Sequence, residues 1–109
     1  MNQVGILATL HARPGKESDV EAFLQSAIPL VQAETGTIAW YAFRMGPATF
    51  GIFDTFDDEA GRTQHLEGGV AKALFARAEE LFERPPQIQG VDVIAETVQA
   101  TQTISAKPA

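Results

Sequence analysis

The stretch "TIAWYAFRMGPATFGIFDTF", residues 37–56, decides the fold. Aromatic and β-branched residues crowd both of its halves, the composition of strands. Gly46-Pro47 separates them as a short turn, so 37–45 and 48–56 read as two strands of an antiparallel hairpin. Alternation sets Ile38, Trp40 and Ala42 against Ala39, Tyr41 and Phe43, and Phe50, Ile52 and Phe56 against Phe53. An antiparallel sheet with one solvated face would show a polar side. Here both sides carry bulk. One carboxylate, Asp54, breaks in on the side of Phe50, Ile52 and Phe56.

Upstream, "QVGILATLHA" (3–12) is a short aliphatic strand and "RPGKES" supplies turn chemistry. Ser18-Asp19-Val20-Glu21 matches a capping box. Val20, Phe23, Leu24, Ala27, Ile28 and Val31 then follow helical spacing as one apolar stripe. Pro29 is expected to kink this helix and Gly36 to end it. Downstream, Asp57 or Asp58 can cap a helical segment that runs to about Arg84. Gly68-Gly69 costs it about 2 kcal/mol relative to alanine, which predicts a break or a bend. Pro85-Pro86 stops it, and "QIQGVDVIAET" (87–97) is the last strand.

The order is β-α-β-β-α-β, the split βαβ arrangement of an α+β fold with both helices on one face of an antiparallel sheet. Residues 1–97 form a single domain, and the polar segment 98–109 is a tail or an arm on a neighbour. In the first strand Val4, Ile6, Ala8 and Leu10 oppose Leu7, so this strand too has two apolar sides. Helices cover only one face. The other is expected to pack sheet against sheet on a second subunit; the alternative is that the tail folds over it.

With 109 residues the chain suits one domain, and 45% hydrophobic residues provide a core. Fourteen acidic residues against 8 basic ones give a net charge of -6. No Lys/Arg cluster offers the cationic footprint that nucleic acid requires. An anionic membrane surface is disfavoured on the same ground, and no apolar run is long enough to span a bilayer. The absence of cysteine excludes disulfides, thiolate zinc sites and a cysteine nucleophile. With no signal-peptide pattern before "QVGILATLHA", the expected location is cytoplasmic.

Two residues are candidates for chemistry. Asp54, desolvated among apolar neighbours, is a candidate general base or hydrogen-bond donor; the alternative is a structural acid bonded to backbone amides or to Arg62. His65, at the margin of an apolar stripe, carries the side chain best suited to exchange a proton at neutral pH. The chain turns from strand to helix at Phe56-Asp57, so both can approach one end of the same cavity. Asp54 faces either the helices or a subunit interface. His11 cannot join them: at about 3.3 Å per strand residue it lies well over 10 Å from His65, and no metal site is expected. Asp57, Asp58 and Glu59 are helix-start acids favoured by the dipole. No nucleophile elbow and no phosphate loop is present.

Arg13-Pro14-Gly15-Lys16, Pro29 near a helix end, Glu34-Thr35-Gly36, Asp54 before Phe56, and His65-Leu66 form an ordered set. Over about residues 3–97 it resembles the antibiotic biosynthesis monooxygenase family, and within it the small quinol monooxygenase-like members. The resemblance implies a ferredoxin-like protomer and a homodimer whose sheets form a dimeric α+β barrel. It implies a pocket between sheet and helices. It also implies oxygenation of an electron-rich phenol, quinol or polyketide-type aromatic by O2 with no cofactor. Asp54 and His65 would handle the proton, and Trp40, Phe50, Ile52 and Phe56 would line the substrate pocket. The sequence departs from the pattern at Phe56, where an indole is common, and at Val70, where some members carry a second histidine. A non-catalytic small-ligand-binding dimer of the same fold is the alternative, and haem bound through His65 a third.

Overall fold

Four strands pair antiparallel in the order β2-β3-β1-β4: β1 is Val4–His11, β2 Thr37–Arg44, β3 Thr49–Phe56 and β4 Gln87–Asp92. This is the ferredoxin-like sheet expected of the split βαβ order. The structure is a computed structural model and describes residues 3–99. The expected tail lies outside the described residues from position 100 onward; Val98 and Gln99 are exposed and belong to no helix or strand.

Helices α1 (Glu17–Ser26) and α2 (Ile28–Gln32) follow β1, and α3 (Glu59–Leu66), α4 (Gly69–Ala76) and α5 (Ala78–Leu81) follow β3. They bury Val20, Phe23, Leu24, Leu74 and Leu81 against Ala8, Leu10, Phe50 and Ile52 of the sheet. The side of Phe50, Ile52 and Asp54 is therefore the helix side. The opposite side carries Leu7, Phe53 and Val91, with Tyr41 57% and Phe43 37% exposed. The Phe43 ring lies flat enough on β3 that a Cβ at Gly51 would come within 2.5 Å of it.

Several boundaries differ from expectation, among them the end of the second helical segment, which stops at Leu81 and not near Arg84. The capping box at Ser18 does not form: α1 starts at Glu17, and Lys16 precedes it with no side-chain cap. Gly15, at φ 86°, closes the turn in which the Lys16 amide donates to the Arg13 carbonyl at 2.9 Å, so Ser18 is already inside the helix. The proline does more than kink its helix. The chain breaks at Ala27, and Pro29 falls in the first turn of α2, where its missing amide costs nothing. α2 ends at Gln32, four positions before Gly36. β4 stops at Asp92, short of 97, because its partner β1 starts at Val4, which pairs with Asp92.

The double glycine does break the second helical segment. Glu67 ends α3 and Gly68 is the N-cap of α4. Asp58 supplies the expected cap of α3, its Oδ1 accepting from the Gly61 amide at 2.9 Å.

Candidate functional site

Asp54 sits in the middle of the sheet, opposite Ile6 of β1 and Trp40 of β2. It points under the helices and is 1% exposed. The capped helix α3 brings His65 down over it, and His65 is 7% exposed. The His65 Nε2 lies 2.9 Å from Asp54 Oδ2. Nδ1 lies 2.6 Å from Oε1 of Glu34, in the connection between α2 and β2. The same Oε1 accepts from the Thr37 hydroxyl at 2.7 Å. The Phe56 ring packs against the imidazole at 5.2 Å between centroids, tilted by 43°.

A histidine between two carboxylates titrates unusually. Burial alone pushes the His65 pKa down, but hydrogen bonds to Asp54 and Glu34 and the charge of both outweigh it, and the pKa rises above the ordinary 6.5. Chemistry points the same way. Ionised carboxylates only accept, so both ring nitrogens find donor roles only as the imidazolium. His65 then has no free lone pair for a haem iron. Arg62 does not engage Asp54: it holds Glu59 and reaches the Gly5 carbonyl at 3.1 Å. His11 pairs with Thr49, far along β1 from Ile6. Among the described residues, no group of three His, Asp or Glu side chains is arranged to hold a metal ion.

Two spaces adjoin this cluster, and a third shares Trp40 with one of them. A cavity of about 30 Å³ between sheet and helices is lined by Trp40, Ile52, Asp54, His65, Leu74 and Ile88, among others. It admits a hydroxyl or a water but no aromatic ring. An open groove of about 460 Å³ runs between α1 and β2, walled by Leu24, Ile28, Trp40 and Phe50. Arg44 spans its rim, 2.8 Å from Glu21 and 4.7 Å above the Phe50 ring. Trp40 is thus a wall of both spaces. On the other side of His65 a cleft of about 220 Å³ is bordered by Glu34, Thr37, Gly61 and Gln64.

Three polar atoms here are buried without a hydrogen-bond partner: Asp54 Oδ1, Trp40 Nε1 and Glu34 Oε2. Such orphans are uncommon and each needs a reason.

Of the residues singled out from the sequence, Asp54 and His65 do meet. Trp40 and Ile52 line the small cavity and Phe50 the groove, while Phe56 is fully buried against His65. Glu34 is the member that sequence reasoning missed. Its signal is stoichiometric: a buried imidazole has two nitrogens to satisfy, and Asp54 satisfies one.

No protein-family model matches the chain, and no curated protein matches it. Among solved structures it is similar to NE2512, a protein of unknown function from Nitrosomonas europaea. The two share 46% identity over 93% of this chain and 98% of that one, with a TM-score of 0.88. A "putative antibiotic biosynthesis monooxygenase" from Bordetella bronchiseptica is 19% identical over 91% of this chain and 100% of that one, with a TM-score of 0.71. Another so described, from Caulobacter crescentus CB15, is 18% identical over 86% and 92%, with a TM-score of 0.75. At these identities the last two likenesses are of fold.

Proposed function

We propose that this chain, which belongs to the same family as NE2512 of Nitrosomonas europaea, is a cofactor-independent monooxygenase that oxidises a small electron-rich phenol, quinol or polyketide-type aromatic with O2. One observation carries the proposal: a fully buried carboxylate, held through one oxygen by a histidine and with no hydrogen-bond partner on the other, lines a cavity that fits a hydroxyl. The fold shared with the two monooxygenase-named proteins supports the same reaction class.

In this reading Asp54 Oδ1 takes the proton of the substrate hydroxyl. The resulting anion gives an electron to O2, and the two radicals recombine at a ring carbon to a peroxide, which takes back the proton from Asp54. That carbon then loses its hydrogen as a proton, the O–O bond breaks, one oxygen stays on carbon as a carbonyl, and the other leaves as water. The substrate supplies all the electrons. His65, 2.9 Å behind Asp54, is its partner in the pair and holds its orientation. The buried apolar walls Ile52, Val70 and Leu74 exclude water. The aromatic ring would lie in the groove against Phe50, with its hydroxyl directed past Trp40, which walls both spaces, to Asp54. The protein works as a homodimer, its outer face of Leu7, Tyr41, Phe43 and Phe53 covered by a second copy.

Oxygen uptake with a panel of hydroquinones and anthrones tests this. The expected result is consumption above the uncatalysed rate that is lost in Asp54→Asn. No uptake, or equal rates in the variant, overturns it. The open groove favours a second reading, a dimer that binds the same aromatic ligands without turnover. A ligand that raises the melting temperature and is recovered unchanged would select it.

A further inference from the structure

We infer that Glu34 is a positioning residue of this site: it fixes His65 as a doubly protonated cation, so that Asp54 and not His65 serves as the base. The inference rests on the Asp54–His65 pair having the role proposed above.

The chain is built to bring Glu34 there. Glu34 lies outside both strands and helices, in a connection that must be pressed against α3 from another part of the sequence. Two glycines allow the approach. A Cβ at Gly36 would come 3.0 Å from the Gly61 Cα, and one at Gly61 would come 3.1 Å from the Gly36 carbonyl oxygen. A third gives the carboxylate its room, since a Cβ at Gly68 would lie 3.2 Å from Glu34 Oε2. Thr37 orients the carboxylate from the far side through Oε1. The double glycine that breaks the helix thus sits where Glu34 needs space.

The titratable groups that meet His65 are two, Asp54 from β3 and Glu34 from the α2–β2 connection. β1 and α4 present Ile6, Val70 and Ala71 to the same cavity, and β2 presents Trp40, none of which titrates at neutral pH. On α3 itself Arg62 is turned to Glu59 and to backbone carbonyls.

The consequence appears when Asp54 receives a proton. Asp54 becomes neutral, and His65 loses one of its two anionic partners. Were Glu34 absent, the imidazolium would then have no counter-ion, and its own proton would be the next to leave. With Glu34 in place the cation persists behind the protonated Asp54, where it stabilises the new substrate anion. No proton leaves the pair to Glu34 in this scheme; the first proton transferred goes from substrate to Asp54 Oδ1.

The test is nitrogen-15 NMR of the His65 ring across pH in the full chain, for the parent, Glu34→Gln and Glu34→Asp. In the parent both nitrogens are expected to show protonated shifts at neutral pH. In Glu34→Gln the titration midpoint moves to lower pH, and Glu34→Asp, which keeps the charge at shorter reach, recovers part of the displacement. If Glu34→Gln does not fold, Glu34→Asp carries the test with an intermediate displacement expected. A neutral His65 tautomer in the parent at neutral pH overturns the inference, as does an unmoved midpoint in whichever variant folds. The readout needs no turnover. A shifted midpoint without oxygen uptake would uphold Glu34 and sink the monooxygenase proposal alone. Where uptake is found, the alkaline limb of its pH profile is expected to move with the NMR midpoint.

Discussion

Trp40 and Asp54 face each other across the β2–β3 ladder, and each buries one polar atom with no partner. One is a donor and the other an acceptor, and both residues line the same small cavity. A hydroxyl, like a water, can serve both at once, accepting from the indole and donating to the carboxylate.

Replacing Trp40 by Phe removes the donor and keeps an aromatic wall. Binding of a hydroxyl-bearing aromatic is expected to weaken by about tenfold, the value of one hydrogen bond of about 1 kcal/mol or slightly more. The same ligand lacking its hydroxyl should bind parent and variant alike. Calorimetric titration of both ligands against both proteins checks this, and an equal loss for the two would mean that Trp40 contributes only shape.

Asp54→Asn should cost activity ~10²–10⁴-fold, the range for loss of a general base. It should also cost about 3 kcal/mol of stability, the low end for breaking a buried charge pair, because Glu34 still faces His65. Urea unfolding at neutral pH measures the second effect independently of the first. Full stability in the variant would argue that Asp54 and His65 do not interact as a charged pair.

Stability should also depend on pH through His65. Its folded pKa is raised above 6.5, so the unfolded chain releases the proton first as pH climbs. The contribution is fully present below 6.5 and is lost as pH rises through the folded value. The urea midpoint is expected to fall across that window, and His65→Gln should flatten the fall. A parent midpoint that rises through the same window would reverse the assigned direction.

The outer face of the sheet predicts assembly. Tyr41 and Phe43 are too exposed for a monomer's comfort beside Leu7 and Phe53, an apolar patch of the kind that marks an interface. Sedimentation should find a homodimer, and Phe43→Asp should yield a folded monomer. A monomeric parent at micromolar concentration would remove the dimer from the proposal.

How much of this was legible beforehand differs by feature. The hairpin, the sheet and the helix break at Gly68-Gly69 come from local composition and were open to reading. That Asp54 and His65 could approach one end of a cavity was legible too, since one turn at Phe56-Asp57 connects their elements; that they touch was not. The direction of Asp54 was not legible, because β3 is bulky on both sides and only the docking of the helices distinguishes them. Glu34 was hidden for a different reason. Its contact with His65 depends on the long-range approach of Gly36 to Gly61, which no local pattern announces. At Ser18 a correct local pattern failed because the Gly15 turn delivers the chain into the helix too early.

The chain has a single tryptophan, and it is the wall between the groove and the cavity that holds Asp54. Its fluorescence therefore arises from one place, with no other indole to dilute it. A ligand entering the groove, a proton settling on Asp54 or a turn of the indole itself would each alter that emission. The protein carries its own optical reporter, placed where the proposed chemistry would occur, and binding can be followed without a label or a known product.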